Sequence, residues 1–257
     1  MVKIEPPGGD PMKHYNQAAY AELHQEIEIR TADLKTQAGQ EVLHSQLAKA
    51  DVLLTSFRPS AFEKLGIAWE TLNRLYPGLS QVAIVGSSGE RAEEPGHDLT
   101  YLAESGLVPG MELPATLYAD MSGSLMASEA VLQATLMQRG KEKNRTEGVF
   151  IEVALSQATA YLALPRQWGL TQPGGWVGGA HAGYQIYACK DGRVAVAALE
   201  PHFASPLCAA AGVVVSDAAS LLMPATHSLI ADFLLHKTRL ELDALAAERD
   251  IPLYTMI

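Results

Sequence analysis

Leu79-Ser80-Gln81-Val82-Ala83-Ile84-Val85, set off by the breaker Pro77-Gly78, is a short run of branched apolar residues of strand length. A run with no polar face suits a strand of a parallel sheet, which is covered by helices on both sides. Asp51-Val52-Leu53-Leu54 is a second such run, and Val149-Phe150-Ile151-Glu152-Val153 a third. Between the first two, Ser60 to Leu75 reads as one helix carrying Phe62, Leu65, Leu72 and Leu75, with Gly66 as its weak point. Strands alternating with helices predict an α/β fold with a Rossmann-like, mostly parallel sheet.

Met121 to Arg139 is the clearest helix of the sequence. Met121, Leu125, Leu132 and Leu136 form its apolar stripe, Asp120 stands at its N-cap and Gly140 is placed to end it. The charged stretch Gly140 to Gly148 is expected to turn the chain into the third strand. Texture changes near Pro173. Gly174-Gly175-Trp176-Val177-Gly178-Gly179 reads as a flexible or closely packed loop. It leads to two strand-like runs, Tyr184 to Ala188 and Arg193 to Ala197, joined through Lys190-Asp191-Gly192, a strong hairpin signal. Helical patterns over Ser228 to Lys237 and Thr238 to Glu248 follow. The expected organisation is a large domain over 1–172 and a smaller α+β domain over 173–257.

With 257 residues, 48% of them hydrophobic, the chain can bury a real core, and general disorder is excluded. A net charge of −10 argues against nucleic acid as the main partner, because phosphate binding needs clustered Lys and Arg. No stretch has the apolar length of a membrane span, and Met1 leads directly into Val2-Lys3-Ile4-Glu5 without a signal-peptide core. Cys189 and Cys208 stand in neither metal nor redox spacing and read as buried thiols. A cytoplasmic protein without membrane attachment and without a metal is the expectation.

Three acid/base residues stand in unusual settings: His97 in Gly96-His97-Asp98-Leu99-Thr100-Tyr101, Asp120 in Tyr118-Ala119-Asp120-Met121-Ser122-Gly123, and Glu200 in Ala198-Leu199-Glu200-Pro201. Histidine titrates near neutral pH and carboxylates can be tuned toward it, so the set is suited to moving a proton on and off carbon. Each residue also has an ordinary local reading. Asp120 can serve as an N-cap, His97 as a loop histidine bonded to Asp98, and Glu200 as a solvated strand end.

Taken together, Ile4-Glu5-Pro6-Pro7-Gly8-Gly9-Asp10-Pro11, Ala32-Asp33-Leu34-Lys35, Phe57-Arg58-Pro59, Gly96-His97-Asp98, Ala119-Asp120 and the Asp191-Gly192 hairpin closely resemble the family III CoA-transferases, or CaiB/BaiF family. Gly96 to Tyr101 with Leu199-Glu200-Pro201-His202-Phe203 is most similar to the α-methylacyl-CoA racemase branch. The resemblance implies an intertwined homodimer, with sites between the large domain of one subunit and the small domain of the other. It implies an acyl-CoA substrate and no permanently bound cofactor. In the racemase branch, residues matching His97 and Asp120 exchange protons with the α-carbon from opposite sides, and one matching Glu200 supports the histidine. In the transferase branches the aspartate matching Asp120 is a nucleophile. Lys3, Lys35, Arg58 and Tyr101 are the implied CoA-binding residues; for the three cations a solvated surface role is the ordinary alternative.

Against the family pattern the chain is expected to be shortened at both ends, lacking the first strand and helix and the returning tail. The family's basic stretch before Ala32 is here His24-Gln25-Glu26-Ile27-Glu28-Ile29-Arg30. A non-catalytic CoA-binding relative is therefore the third expectation beside racemase and transferase. Helix N-terminal amides beside Asp120 are expected to help hold an enolate.

Overall fold

The computed structural model describes residues 1–139 and 147–257. The helix stop expected at Gly140, and most of the turn expected over Gly140 to Gly148, lie outside the described residues. The chain divides into two units, Met1–Ala163 and Leu164–Ile257.

The first unit runs β1 (Val2–Glu5), α1 (Met12–Tyr15), α2 (Gln17–Leu23), β2 (Glu28–Thr31), α3 (Gln37–Leu47), β3 (Val52–Thr55), α4 (Pro59–Leu65), α5 (Trp69–Leu75), β4 (Ser80–Val85), α6 (Asp98–Glu104), α7 (Tyr118–Arg139), β5 (Phe150–Ala154) and α8 (Leu155–Leu162). β1 and β2 form a parallel pair, and β3, β4 and β5 a three-stranded parallel sheet in that order. β4 is central, and five of its six residues are buried, the polar Ser80 and Gln81 among them. Parallel strands joined through helices make this unit the expected α/β layer structure.

Two helical expectations are corrected. Ser60 to Leu75 forms two helices instead of one, because Gly66 takes a left-handed φ of 71° as the C-cap of α4 and turns the chain before α5. The Met121, Leu125, Leu132 and Leu136 stripe of α7 does not enter the core: the four side chains are 59–72% exposed. The face that meets the sheet carries Ala127 and Ala130, packed on Val82 and Val153. Small side chains let the helix axis come close to the strands, and Gly123 does the same toward α8, where a Cβ would overlap Leu155. At the other end Gln138 Nε2 donates to the carbonyls of Gly78 (2.7 Å) and Asp51 (3.1 Å) and to Ser80 Oγ (2.9 Å).

The second unit runs α9 (Leu164–Gln167), β6 (Tyr184–Cys189), β7 (Gly192–Ala197), α10 (Pro201–Ala210), α11 (Pro224–Leu235), α12 (Arg239–Arg249) and β8 (Leu253–Met256). β6, β7 and β8 form an antiparallel sheet with β7 in the middle. Val194, Val196, Leu207, Ile230, Leu234 and Leu242 build the core under α10, α11 and α12. The hairpin stands where Asp191-Gly192 places it. Gly192 is required for a different reason from turn geometry, since a Cβ there would overlap the Met256 carbonyl of β8. Asp191 instead accepts the Arg239 amide at 2.7 Å and so caps α12. The glycine loop before it is closely packed: Cβ atoms at Gly175 and Gly178 would run into the carbonyls of Gly169 and Gln172. No helix among the described residues is long and apolar enough to cross a membrane.

Candidate active site

The carboxyl ends of β3, β4 and β5 open onto a cleft of about 260 Å³. Its lining includes Phe57 and Arg58 after β3, Gly86 after β4, Leu155 after β5, and Gly96, His97 and Tyr101 around the start of α6. Ligands of open parallel sheets collect at this edge, where strand ends and helix starts leave a crevice. Tyr101 forms a wall of the cleft. Its ring is buried, and Cβ atoms at Gly86 or Gly96 would overlap its phenol, so both glycines are needed for the loops to close around it. Burial pushes the Tyr101 hydroxyl above its ordinary pKa, opposed by the Arg58 charge and reinforced by that of Asp120.

His97 is the N-cap residue of α6, in extended conformation, with its amide donating to Thr100 Oγ1 at 3.0 Å and its imidazole exposed. Asp120 lies on the neighbouring helix as the third residue of α7, not at its N-cap. The capping acceptor is Asp98: its buried carboxylate receives the amides of Ala119 at 2.7 Å and Asp120 at 3.0 Å. One side chain thus ties the starts of α6 and α7 together. The sequence reading missed this role, since it placed Asp98 only as a neighbour of His97; the available signal was an acidic residue in the first turn of α6.

Asp120 is held above the ordinary carboxylate range, first by partial burial and then by the charge of Asp98, with His97 acting in the opposite sense. The α7 amides beside it are already taken. Tyr118 donates to Thr116 and Met121 to Leu117, while Asp98 receives the two between them. The expected support of an enolate by those amides is not offered by this arrangement.

The other predicted residues lie elsewhere. Lys35 is exposed, and its amide closes a turn on Asp33. Lys3 is enclosed by its own chain: its ammonium contacts Asp10, Glu5 at 3.3 Å and His24 Nε2 at 2.8 Å. Glu5, Asp10 and His24 present ligand atoms within 4.8 Å of one another, the one metal-type trio among the described residues, and the Lys3 ammonium is the cation among them. Glu200 belongs to the second unit, where it is the exposed N-cap of α10 and leads into Pro201 at the first helical position.

The sequence pattern described by CoA-transferase family III matches residues 1–256. The chain belongs to CoA-transferase family III. Among relatives of this family, alpha-methylacyl-CoA racemase of Mus musculus is 30% identical over 231 residues, 81% of this chain and 60% of that protein. (R)-2-hydroxy-4-methylpentanoate CoA-transferase of Clostridioides difficile is 28% identical over 214 residues, 75% of this chain and 54% of that protein. The chain therefore spans little more than half the length of these relatives. The solved structure of Rv3272 from Mycobacterium tuberculosis superposes with a TM-score of 0.83 at 21% identity, over 100% of this chain and 74% of that one, and shares its fold.

Proposed function

We propose that this family III chain is an acyl-CoA racemase or epimerase that exchanges the α-proton of a 2-methylacyl-CoA thioester. The observation that carries the reading is the placing of His97 and Asp120 on two helix starts joined by Asp98, with His97 lining the cleft at the strand ends. A thioester acidifies its α-hydrogen only weakly, so one group must remove the proton while another stands ready to return it to the other face. A histidine and an aspartate whose carboxyl is raised are suited to that pair of roles. Arg58, in the same cleft, is the cation placed to meet a CoA phosphate; the role of Glu200 in supporting the histidine is proposed from the family resemblance alone. The active unit is a homodimer, and the exposed apolar stripe of α7 gives it a surface on which a second copy can close.

The deciding experiment is deuterium exchange at the α-carbon of 2-methylacyl-CoA in deuterated water, with CoA binding followed separately by calorimetry. Exchange from both enantiomers is expected. Asp120→Asn and His97→Ala should each lose about 10²- to 10⁴-fold, with opposite enantiomer preferences. Binding without exchange from either enantiomer would overturn the proposal. The partly exposed carboxyl of Asp120 also favours a second reading, CoA-transfer with Asp120 as nucleophile, which predicts a trappable covalent adduct on Asp120 and no stereochemical split.

A further inference from the structure

α7, with 22 residues, carries a helix dipole whose positive end lies at Tyr118, Ala119 and Asp120. An aspartate in the first turn of such a helix is normally stabilised as the anion, which lowers its pKa. Asp120 shows the opposite tendency. Partial burial is the first cause, and beside it stands the anion closest to the α7 amides, Asp98, whose Oδ1 receives both the Ala119 and the Asp120 N–H.

We infer that Asp98 is a positioning residue for Asp120, fixing the first turn of α7 through two amide bonds and setting a buried negative charge beside the Asp120 carboxyl. The stabilisation that the helix start offers to an anion is taken up by Asp98, and its charge then opposes ionisation of Asp120. The groups acting on Asp120 are few. Asp98 raises its pKa, His97 lowers it, and Tyr101 is coupled to it across the same corner. α8 brings no charged side chain to α7, and of β3, β4 and β5 only β5 carries one, Glu152. The other acid of α6, Glu104, is paired with Arg91, so Asp98 is the acidic neighbour that adds to burial in raising Asp120. An Asp120 that keeps its proton to higher pH is a better donor to an enolate, and it needs no second acid at that position.

The inference rests on the reading of Asp120 as a proton carrier, but its test is read on the carboxyl itself. In the intact chain with carbon-13-labelled aspartate, the Asp120 resonance is identified by its disappearance in Asp120→Asn and titrated by NMR. The wild-type midpoint should lie above the ordinary aspartate value of ~3.9. Asp98→Asn keeps an oxygen to accept the two amides and removes the charge, so the midpoint should fall. Each unit of that fall means a tenfold smaller protonated fraction near neutral pH. A folded Asp98→Asn with an unchanged midpoint overturns the inference, because a merely structural cap would leave the titration where it was. So does a wild-type midpoint at or below the ordinary value, which needs no variant. Where α-proton exchange is observed, the acidic limb of its pH profile should move down with the NMR midpoint. A chain that titrates as expected and exchanges no α-deuterium would refute the racemase reading and leave the role of Asp98 standing.

Discussion

Tyr101 is held by what its neighbours lack. A Cβ at Gly86 would strike the phenol oxygen while its distance to Cζ would be 3.0 Å; one at Gly96 would also lie 2.7 Å from ring Cε1. Gly86→Ala should therefore cost about 1–3 kcal/mol, and Tyr101→Phe should restore most of that loss, whereas Gly96→Ala should stay destabilised on the same background. Chemical denaturation of the single and double variants measures both couplings. Equal rescue of the two glycine variants would contradict the geometry. At this scale the sequence singles out His97, Arg58 and Tyr101 by their motifs, and the three line one cleft. It was not legible for Asp98, whose partners are the amides of residues 119 and 120, because a bond spanning more than twenty residues leaves no local pattern.

The elements follow their residues wherever the competing signals are local. β4 needs no context to be read, and the α4–α5 break is written in Gly66, which an unbroken helical count passes over. α7 shows why periodicity alone misassigns a face: leucines and alanines both repeat at helical spacing, and the approach of the sheet selects the alanines. Leu132→Lys tests what covers the stripe left outside. On an uncovered surface it should change stability by less than about 0.5 kcal/mol, and in the proposed homodimer it should abolish assembly, as followed by sedimentation velocity. A dimer that survives Leu132→Lys and Leu125→Lys together would remove this face from the interface. β1, α1 and α2 are joined by a different device. Buried Glu5 accepts Tyr20 Oη–H at 2.6 Å and Lys13 at 3.1 Å, with Lys3 beside it. Glu5→Gln should cost about 2 kcal/mol in thermal or denaturant unfolding. Burial opposes ionisation of both, yet these donors hold Glu5 below its ordinary 4.5, and Lys3 and the α1 amide of Met12 hold Asp10 below 3.8. The carboxylates thus add stability that is complete above those values and lost as pH falls through the lowered ones. The acid unfolding of the wild type should be steeper there than that of Glu5→Gln.

At the scale of the whole molecule the sequence changes texture from helix-separated apolar runs to glycine-rich loop and hairpin, because parallel and antiparallel sheets leave different sequence textures. The proposed partnership of Glu200 with His97 has no such texture, and it rests on family resemblance. The enclosure of Lys3 has a further consequence for a chain of this family. An amine attacks a thioester only in its uncharged form, and the Asp10 and Glu5 carboxylates hold the Lys3 ammonium above its ordinary 10.5 despite partial burial, as Glu5 and Tyr20 do for Lys13. These two lysines are thereby made poor nucleophiles. On the proposed acyl-CoA reading, β1 is thereby shielded against an activated acyl group, and the carboxylates that tie β1 to α1 and α2 are also what would keep Lys3 from being acylated.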